Sequence, residues 1–174
     1  MARLTVAERW KLLADTVDQL VHATSVDAVV DIVRPVARSI AQADGITIVK
    51  RIGEETDYLA EDAIDTLWAG MQFPIDKCLA GRAMVEEQTV IIPDITHVEG
   101  IPLNVYLATF IRSLIAVPIG DVKPTYAICA YWREAGPIDS DTVALMEALG
   151  RVIGGVIAVL EVLAIAEGRS SLAA

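Results

Sequence analysis

Thiol and imidazole side chains are few in this sequence: it has two cysteines, Cys78 and Cys129, and two histidines, His22 and His97. Cys78 follows Lys77 near the predicted start of a short helix, where the helix dipole and a neighbouring cation can stabilise a thiolate. Cys129 lies among apolar residues of a predicted strand, which is typical of a core thiol. The sequence therefore predicts neither a metal cluster nor a disulfide framework. It leaves open whether Cys78 is reactive or simply packed.

Carboxylates outnumber cations in the chain. There are 24 Asp and Glu against 14 Lys and Arg, a formal net charge of −10, and no basic block. Such a chain repels phosphate backbones, so we expect no nucleic-acid partner. The densest acidic segment, residues 54–65, is interpreted as a solvated face and not as a cation site.

The sequence indicates a cytoplasmic protein. Two cysteines fit a reducing compartment, and the first residues form a charged amphipathic stretch instead of a secretory signal. The longest charge-free run of the apolar C-terminal segment, Val152–Leu160, is less than half of the ~20 residues that a membrane span needs. We therefore expect no membrane partner.

Helical spacing of apolar residues marks the N-terminal part. Thr5 and Glu8 form a capping-box pattern before an amphipathic helix. A second helix is predicted to begin after Thr24 or Ser25, and Pro35 removes one of its backbone hydrogen bonds, which predicts a kink.

The middle of the chain has strand-like patterns interrupted by short helices. Asp76 is expected to cap a short helix over 77–87, and another helix is expected over 103–110. Strands are predicted at 46–51, 58–60, 90–95, 112–119 and 126–133, with 67–73 as an ambiguous further strand. Alternation in the last strand puts Trp132 and Tyr126 on one face without saying what that face contacts.

The last element is a predicted helix, Ser140–Ala166, with two apolar stripes. One stripe can cover the sheet, and a second copy of the helix is the simplest cover for the other. Gly150 and Gly154 would allow close approach between the copies. We expect a homodimer through residues 1–25 and 139–167, with a frayed tail over 168–174. The alternative is a monomer in which the first helix covers the second stripe.

Three stretches give the sequence a family resemblance: FPIDKCLAGRAMVEEQTVIIPDI, YLATFIRSLIAVPI and AICAYW. They resemble GAF domains, which are small-molecule sensor modules, and most of all those of bacterial sensor histidine kinases. The most specific matches are the Cys-x-x-Gly at 78–81 and the Pro93–Asp94 pair. The resemblance implies a single GAF domain over 1–174, of α+β class. Its central antiparallel sheet would carry terminal helices on one face and a lid-covered pocket on the other.

By this resemblance, the pocket would lie under residues 77–87 and 94–110. Arg82 could hold an anionic ligand by a bidentate contact, while Tyr106 and Phe110 would form apolar walls. The alternative is that Arg82 points to solvent and the two aromatic rings fill the lid. Arg82 stands where kinase-associated members usually carry Trp, so the ligand need not match theirs. The six expected ligand-binding residues are Arg82, Tyr106, Phe110, Cys78, Asp94 and Trp132.

Several GAF chemistries lack their residues here. The motif of cyclic-nucleotide-binding members is absent, and the predicted helix 103–110 has no thiol for covalent bilin attachment. Haem would need an axial His, for which His97 is the candidate in the lid. Free methionine-(R)-sulfoxide reductases, which are GAF-fold enzymes, need a second lid cysteine, and residues 97–106 contain none. We therefore expect no covalent bilin and no haem, and leave the ligand unidentified.

The sequence thus predicts a non-enzymatic, homodimeric sensor domain that acts on a partner in trans, such as a histidine kinase or another signalling protein. Two alternatives remain. One is a structural dimerisation module whose pocket is filled by its own side chains, with Leu107 and Tyr126 as the expected fillers. The other is a thiol enzyme centred on Cys78.

Overall fold

Five α-helices and six β-strands follow one another in the computed structural model, which describes residues 3–120 and 122–168. The expected frayed tail over 168–174 lies almost wholly outside the described residues. The elements in chain order are α1 (Val6–Leu20), α2 (Val26–Ala41), β1 (Gly45–Ile52), β2 (Glu55–Ala63), β3 (Gln72–Pro74), α3 (Leu79–Glu86), β4 (Val90–Ile92), α4 (Leu103–Leu107), β5 (Ser113–Ile119), β6 (Tyr126–Trp132) and α5 (Ser140–Ala166). Two 3₁₀ turns, Ile75–Lys77 and Ile95–His97, precede α3 and α4.

The strands form one antiparallel sheet in the order β3-β2-β1-β6-β5-β4, which confirms the expected α+β class. Strands β1 and β6 lie at its centre, with Gly45 opposite Tyr131 and Thr47 opposite Cys129. Because side chains alternate along each strand, this register decides which residues face each side.

The sheet separates two hydrophobic cores. On one face, Ile46, Ile48 and Ile128 pack against α1, α2 and α5. On the other face, Val49, Cys129 and their neighbours pack against α3 and the segments around α4. Terminal helices on one face and lid segments on the other are the arrangement that the resemblance implies.

The predicted helix starts are confirmed at α1 and α2. The Thr5 side chain accepts from the Glu8 backbone while Glu8 reaches back to the Thr5 N–H, a complete capping box. The Ser25 Oγ accepts from the Ala28 N–H at 3.1 Å. Pro35 lies inside α2, as predicted.

Several predicted boundaries in the middle of the chain were wrong. Cys78, and not Asp76, caps the third helix, because residues 75–77 form a 3₁₀ turn first. Strand β2 begins at Glu55 instead of residue 58, since Thr56 and Tyr58 alternate inward there while the acidic residues point outward. Most of 67–73 is a loop, and α4 ends at Leu107 instead of residue 110.

One buried charge joins the three helices on their side of the sheet. Arg9 is 4% exposed, and its Nε donates to the Ile40 carbonyl at 2.7 Å. Its Nη2 donates to Thr142 Oγ1 at 2.6 Å, next to the Asp139 carboxylate that caps α5. The ends of α1, α2 and α5 are thereby fixed together.

Helix α5 is long and apolar enough to cross a membrane by length and composition alone, with 22% of its most apolar stretch buried in the fold. Its first half buries Leu145, Leu149 and Ile153 against the sheet and helices. Its second half leaves Val159, Val162, Leu163 and Ile165 exposed.

Gly150 and Gly154 of α5 pack against the sheet of their own chain. The sequence-based expectation was that they allow close approach between two copies of the helix. A Cβ at Gly154 would lie 2.5 Å from the Gly120 backbone nitrogen, and one at Gly150 would lie 3.0 Å from Val117 Cγ1. These glycines therefore let α5 approach β5 within one chain. Gly155, by contrast, faces open space.

Candidate functional site

The lid face of the sheet contains a small recess between the inner strands and the lid segments. Tyr58, Trp68 and Phe73 line one side, and the other side comprises Lys77, Cys78, Pro102, Val105 and Tyr106. The recess encloses about 10 Å³, which is room for about one water molecule. As it stands, it is closed to any larger ligand.

Trp68 lies at the centre of the aromatic residues around this recess. Its ring centre lies 5.2 Å from that of Tyr106, 5.6 Å from Tyr58, 5.9 Å from Tyr131 and 6.1 Å from Phe73. All four contacts are edge-to-face, which is a favoured geometry for aromatic pairs, so the other four rings surround the Trp68 ring. The expected fillers were wrong: Leu107 is 40% exposed and Tyr126 packs on the helix side of the sheet.

Trp68 lies on a loop, residues 64–71, that one carboxylate holds in place. The two oxygens of Glu61 accept from the backbone N–H groups of Leu67 at 3.0 Å, Trp68 at 2.8 Å and Ala69 at 2.9 Å. Two backbone hydrogen bonds between Tyr58 and the residues Gly70 and Met71 hold the end of the loop. Glu61 thus belongs to no solvated acidic face, contrary to expectation: it positions the side chain that closes the recess.

Cys78 lies on the floor of the recess and is 4% exposed. Its Sγ accepts from the Gly81 N–H at 3.3 Å and lies 3.4 Å from Thr56 Oγ1. Gly81 is required there, because a Cβ would lie 2.0 Å from the Ile75 carbonyl oxygen. The thiol therefore acts as the helix cap that the sequence analysis assigned to Asp76.

Tyr106 joins α4 to the start of α3. Its hydroxyl accepts from the Leu79 N–H at 3.2 Å, which satisfies a free donor of the first helical turn. Burial raises the pKa of Tyr106 above its ordinary value, so the phenol stays neutral. Cys78 and Tyr106 thus hold adjacent backbone groups at one corner of the recess.

The other thiol on this face is Cys129. Burial raises its pKa to about 12, and the hydrogen bond with Tyr131 opposes that change only in part. A thiol with such a pKa is protonated at neutral pH and makes a poor nucleophile.

The remaining four predicted site residues lie outside the recess. Arg82 donates through Nη2 to the Glu99 carbonyl at 2.8 Å on the outer side of α3. The Phe110 ring covers the start of β1, 2.9 Å from where a Gly45 Cβ would lie. Trp132 lies on the opposite face of the sheet, where its Nε1 donates to the Gln42 carbonyl at 3.0 Å.

Asp94, the last of the predicted set, caps the second 3₁₀ turn. Its carboxylate accepts from the Thr96 N–H at 2.9 Å and lies 3.2 Å from His97 Nδ1. The His97 side chain is 81% exposed and lines no part of the recess. Within residues 3–120 and 122–168, three or more His, Cys, Asp or Glu side chains nowhere come together to hold a metal ion.

Four residues that shape this site were not predicted from the sequence: Trp68, Glu61, Tyr58 and Phe73. The sole sequence signal for this site was the set of aromatic residues at 58, 68 and 73. Two of them lie in the segment 67–73, which was interpreted as a possible strand and therefore not as part of a site.

No known family profile matches the sequence, and no curated protein matches it. Many solved structures share its fold. One is a free methionine-R-sulfoxide reductase from Neisseria meningitidis in complex with its substrate, with a TM-score of 0.80 and 14% identity over 94% of this chain and 96% of that one. Another is the GAF domain of a phosphoenolpyruvate-protein phosphotransferase from Coxiella burnetii, with a TM-score of 0.78 and 14% identity over 95% and 99%.

A third similar structure is the chromophore-binding domain of a bacteriophytochrome from R. palustris, with a TM-score of 0.73 and 16% identity over 90% of this chain and 62% of that one. At these identities the likeness concerns the fold. The chain has a GAF-type fold, as its sequence resemblance implied.

Proposed function

We propose that this chain is a non-enzymatic, cytoplasmic regulatory domain of the GAF type, in which a small molecule enters the recess by displacing Trp68. In this proposal the domain is a homodimer and acts on a partner in trans, with a histidine kinase as one candidate. The observation that carries the proposal is that the central ring of the aromatic cluster at the recess belongs to a loop residue, Trp68, and not to a strand.

A loop residue can leave while the fold stays intact. The rings of Tyr58 and Tyr131 come from β2 and β6, whose ladders hold them, whereas Trp68 depends on Glu61 and the short loop 64–71. Local opening of a loop costs less free energy than opening of a central strand. Displacement of the indole would leave a planar apolar space walled by Tyr58, Phe73 and Tyr106, with Cys78 at the floor. This shape favours a small planar ligand, without a charged group in its buried part.

The state of the thiols supports a non-enzymatic role. Thiol chemistry requires an accessible thiolate, but Cys78 is buried and its sulfur accepts a helix-capping hydrogen bond. Cys129 is protonated at neutral pH because burial raises its pKa to about 12.

The exposed part of α5 supports dimerisation. Val159, Val162 and Leu163 are each more than half exposed, and an apolar groove of about 480 Å³ runs between α5 and the end of α1. A contiguous apolar surface of this kind is typical of an interface. Arg151 is the one charged residue along the groove, so a second apolar α5 fits it well. Movement of the lid could reach this interface through β5, which contacts both α3 and α5.

Native mass spectrometry of the purified protein, with the Trp68→Ala variant alongside, tests the proposal. We expect a dimer that retains a small molecule, or that gains one from a set of planar apolar compounds, and tighter binding by the variant because the plug is gone. Trp10→Ala is the matched control, since Trp10 is 40% exposed and remote from the recess. Failure of both the wild type and Trp68→Ala to bind any of these compounds would contradict the proposal.

The second candidate is a constitutive dimerisation module, and the observation that favours it is the small volume of the recess, about 10 Å³. In such a module Trp68 would be a core residue. Ligand binding by Trp68→Ala alone, with none by the wild type under any condition, would favour this candidate.

A further inference from the structure

The helix side of the sheet carries a second site, separate from the recess. A groove of about 450 Å³ lies between the start of the described chain, the end of α2 and the ends of β1 and β6. We call it the arginine groove, because Arg3, Arg38 and Arg133 line it together. Among the described residues, Asp44 is the one carboxylate in its lining, and Asp62 lies 3.2 Å from Arg38 Nη1.

This local charge is opposite to that of the molecule. The chain has a net charge of −10, yet the three arginines of the arginine groove face only two carboxylates among the described residues that pair with them, Asp44 with Arg133 and Asp62 with Arg38. Three guanidinium groups around one groove repel one another, and a bound anion would relieve that repulsion. The electrostatic balance therefore favours an anionic ligand at this one place.

Each guanidinium group retains donors for such a ligand. Arg3 uses Nε for the Gln42 side chain, Arg38 uses Nε and Nη1 for the Ala43 carbonyl and Asp62, and Arg133 uses Nε and Nη2 for Asp44. Among the residues that the structure describes, at least one terminal amino group of each arginine has no hydrogen-bond partner. These existing contacts also orient the three side chains in advance, which lowers the entropy cost of binding.

An aromatic surface adjoins the cations. The Trp132 indole lines the arginine groove and is partly buried, with its Nε1 hydrogen bonded to the Gln42 carbonyl at 3.0 Å. Its orientation is fixed, and its ring can contact a planar group. Ile64 adds an apolar side chain to the same lining. The volume is within the range of small-molecule sites, ~300–1,000 Å³.

We propose that the arginine groove binds a small planar molecule carrying a phosphate or carboxylate group. The anionic group is held by Arg3, Arg38 and Arg133, and the planar part lies against Trp132. Because Arg3 lies two residues before the Thr5 cap of α1, occupancy of the groove ties the start of α1 to the sheet edge. The site lies on the other face of the sheet from the recess, and Ile64 is the one residue of the Trp68 loop in its described lining.

Titration of labelled protein with phenyl phosphate, followed by NMR, tests this site. The reporter is the Trp132 Nε1–H signal, assigned with a Trp132→Phe variant. Inorganic phosphate and phenol serve as the matched probes for charge alone and for the ring alone. We expect phenyl phosphate to shift the Trp132 signal and to bind at least tenfold more tightly than either matched probe. Equal affinity for phenyl phosphate and inorganic phosphate, or a shift at Trp68 instead of Trp132, would overturn the proposal.

The double variant Arg3→Gln/Arg133→Gln tests the role of the cations. It keeps the hydrogen bond from the Arg133 backbone N–H to Asp44, so the fold is retained, and a dispersed spectrum checks this. We expect at least a tenfold loss of affinity for phenyl phosphate. The control is Lys11→Gln/Arg34→Gln, which removes the same charge from exposed helix positions. An equal loss of affinity for phenyl phosphate in both double variants would show that net charge alone causes the effect. That result would overturn the proposed site.

Discussion

The Glu61 carboxylate accepts a hydrogen bond from the Trp68 backbone N–H at 2.8 Å, and so the acid on the sheet positions the indole at the centre of the aromatic residues around the recess. The same carboxylate binds the N–H groups of Leu67 and Ala69. One carboxylate therefore accepts hydrogen bonds from three consecutive backbone N–H groups. A residue with an uncharged or shorter side chain does not make all three of these bonds. The closed recess therefore depends on a single residue of β2.

Glu61→Gln is expected to destabilise the protein by about 1–3 kcal/mol, because an amide has one acceptor oxygen and its NH₂ group would face backbone donors. Chemical denaturation measures the change. Glu55→Gln, at an exposed position of the same strand, is the control and should stay within about 0.5 kcal/mol of the wild type. Equal stability of the two variants would show that Glu61 does not hold the loop.

The two neighbouring glycines of α5 are expected to respond in opposite directions. Gly154→Ala places a Cβ 2.5 Å from the Gly120 nitrogen, and separation of α5 from β5 should cost about 1–3 kcal/mol. Gly155→Ala meets open space and should gain up to about 1 kcal/mol from helix propensity. Thermal unfolding of both variants measures the contrast. Stabilisation by both substitutions would contradict the close packing of α5 on β5.

If α5 forms the proposed dimer interface, Val162→Glu is expected to give a monomer, because it puts a charge on the exposed apolar face of α5. Light scattering at micromolar concentration measures the mass. Val85→Glu alters an equally exposed valine on α3 and should leave the dimer intact. A monomeric wild-type protein, or a dimeric Val162→Glu variant, would rule out this interface.

In the native protein at neutral pH, Cys129 is expected not to react with an aromatic disulfide reagent, and Cys78 is expected to react no faster than the loop that carries Trp68 opens. Cys78 is buried, and Cys129 has a pKa raised to about 12. Both should react once guanidinium chloride unfolds the chain. Rapid stoichiometric labelling of native protein, lost in Cys78→Ser, would restore the thiol-enzyme hypothesis.

Local sequence rules predicted the three long helices α1, α2 and α5 well, because their signals are local. The capping box of Thr5 and Glu8, the Ser25 cap and the full extent of α5 all follow from residues a few positions apart. Arg9 shows the limit of that approach. Its burial depends on the Ile40 carbonyl and on Thr142, which are distant in sequence.

The candidate site was less predictable for the same reason. The family resemblance led to Cys78 and Tyr106, which do line the recess. Trp68 was missed because its position depends on a loop conformation that Glu61 sets from another element. Trp132 was assigned to the recess because strand alternation defines two faces but does not say which of them the lid covers.

The central claim is that the loop carrying Trp68 opens while the sheet stays closed, and native-state amide hydrogen exchange tests it most directly. The amides to compare are those of Trp68, bound to Glu61, and of Cys129, in the central strand β6. We expect the Trp68 amide to exchange through an opening that costs about 2–4 kcal/mol less than the opening that exposes the Cys129 amide. Equal opening free energies for the two amides would mean that Trp68 is a core residue and would contradict the account.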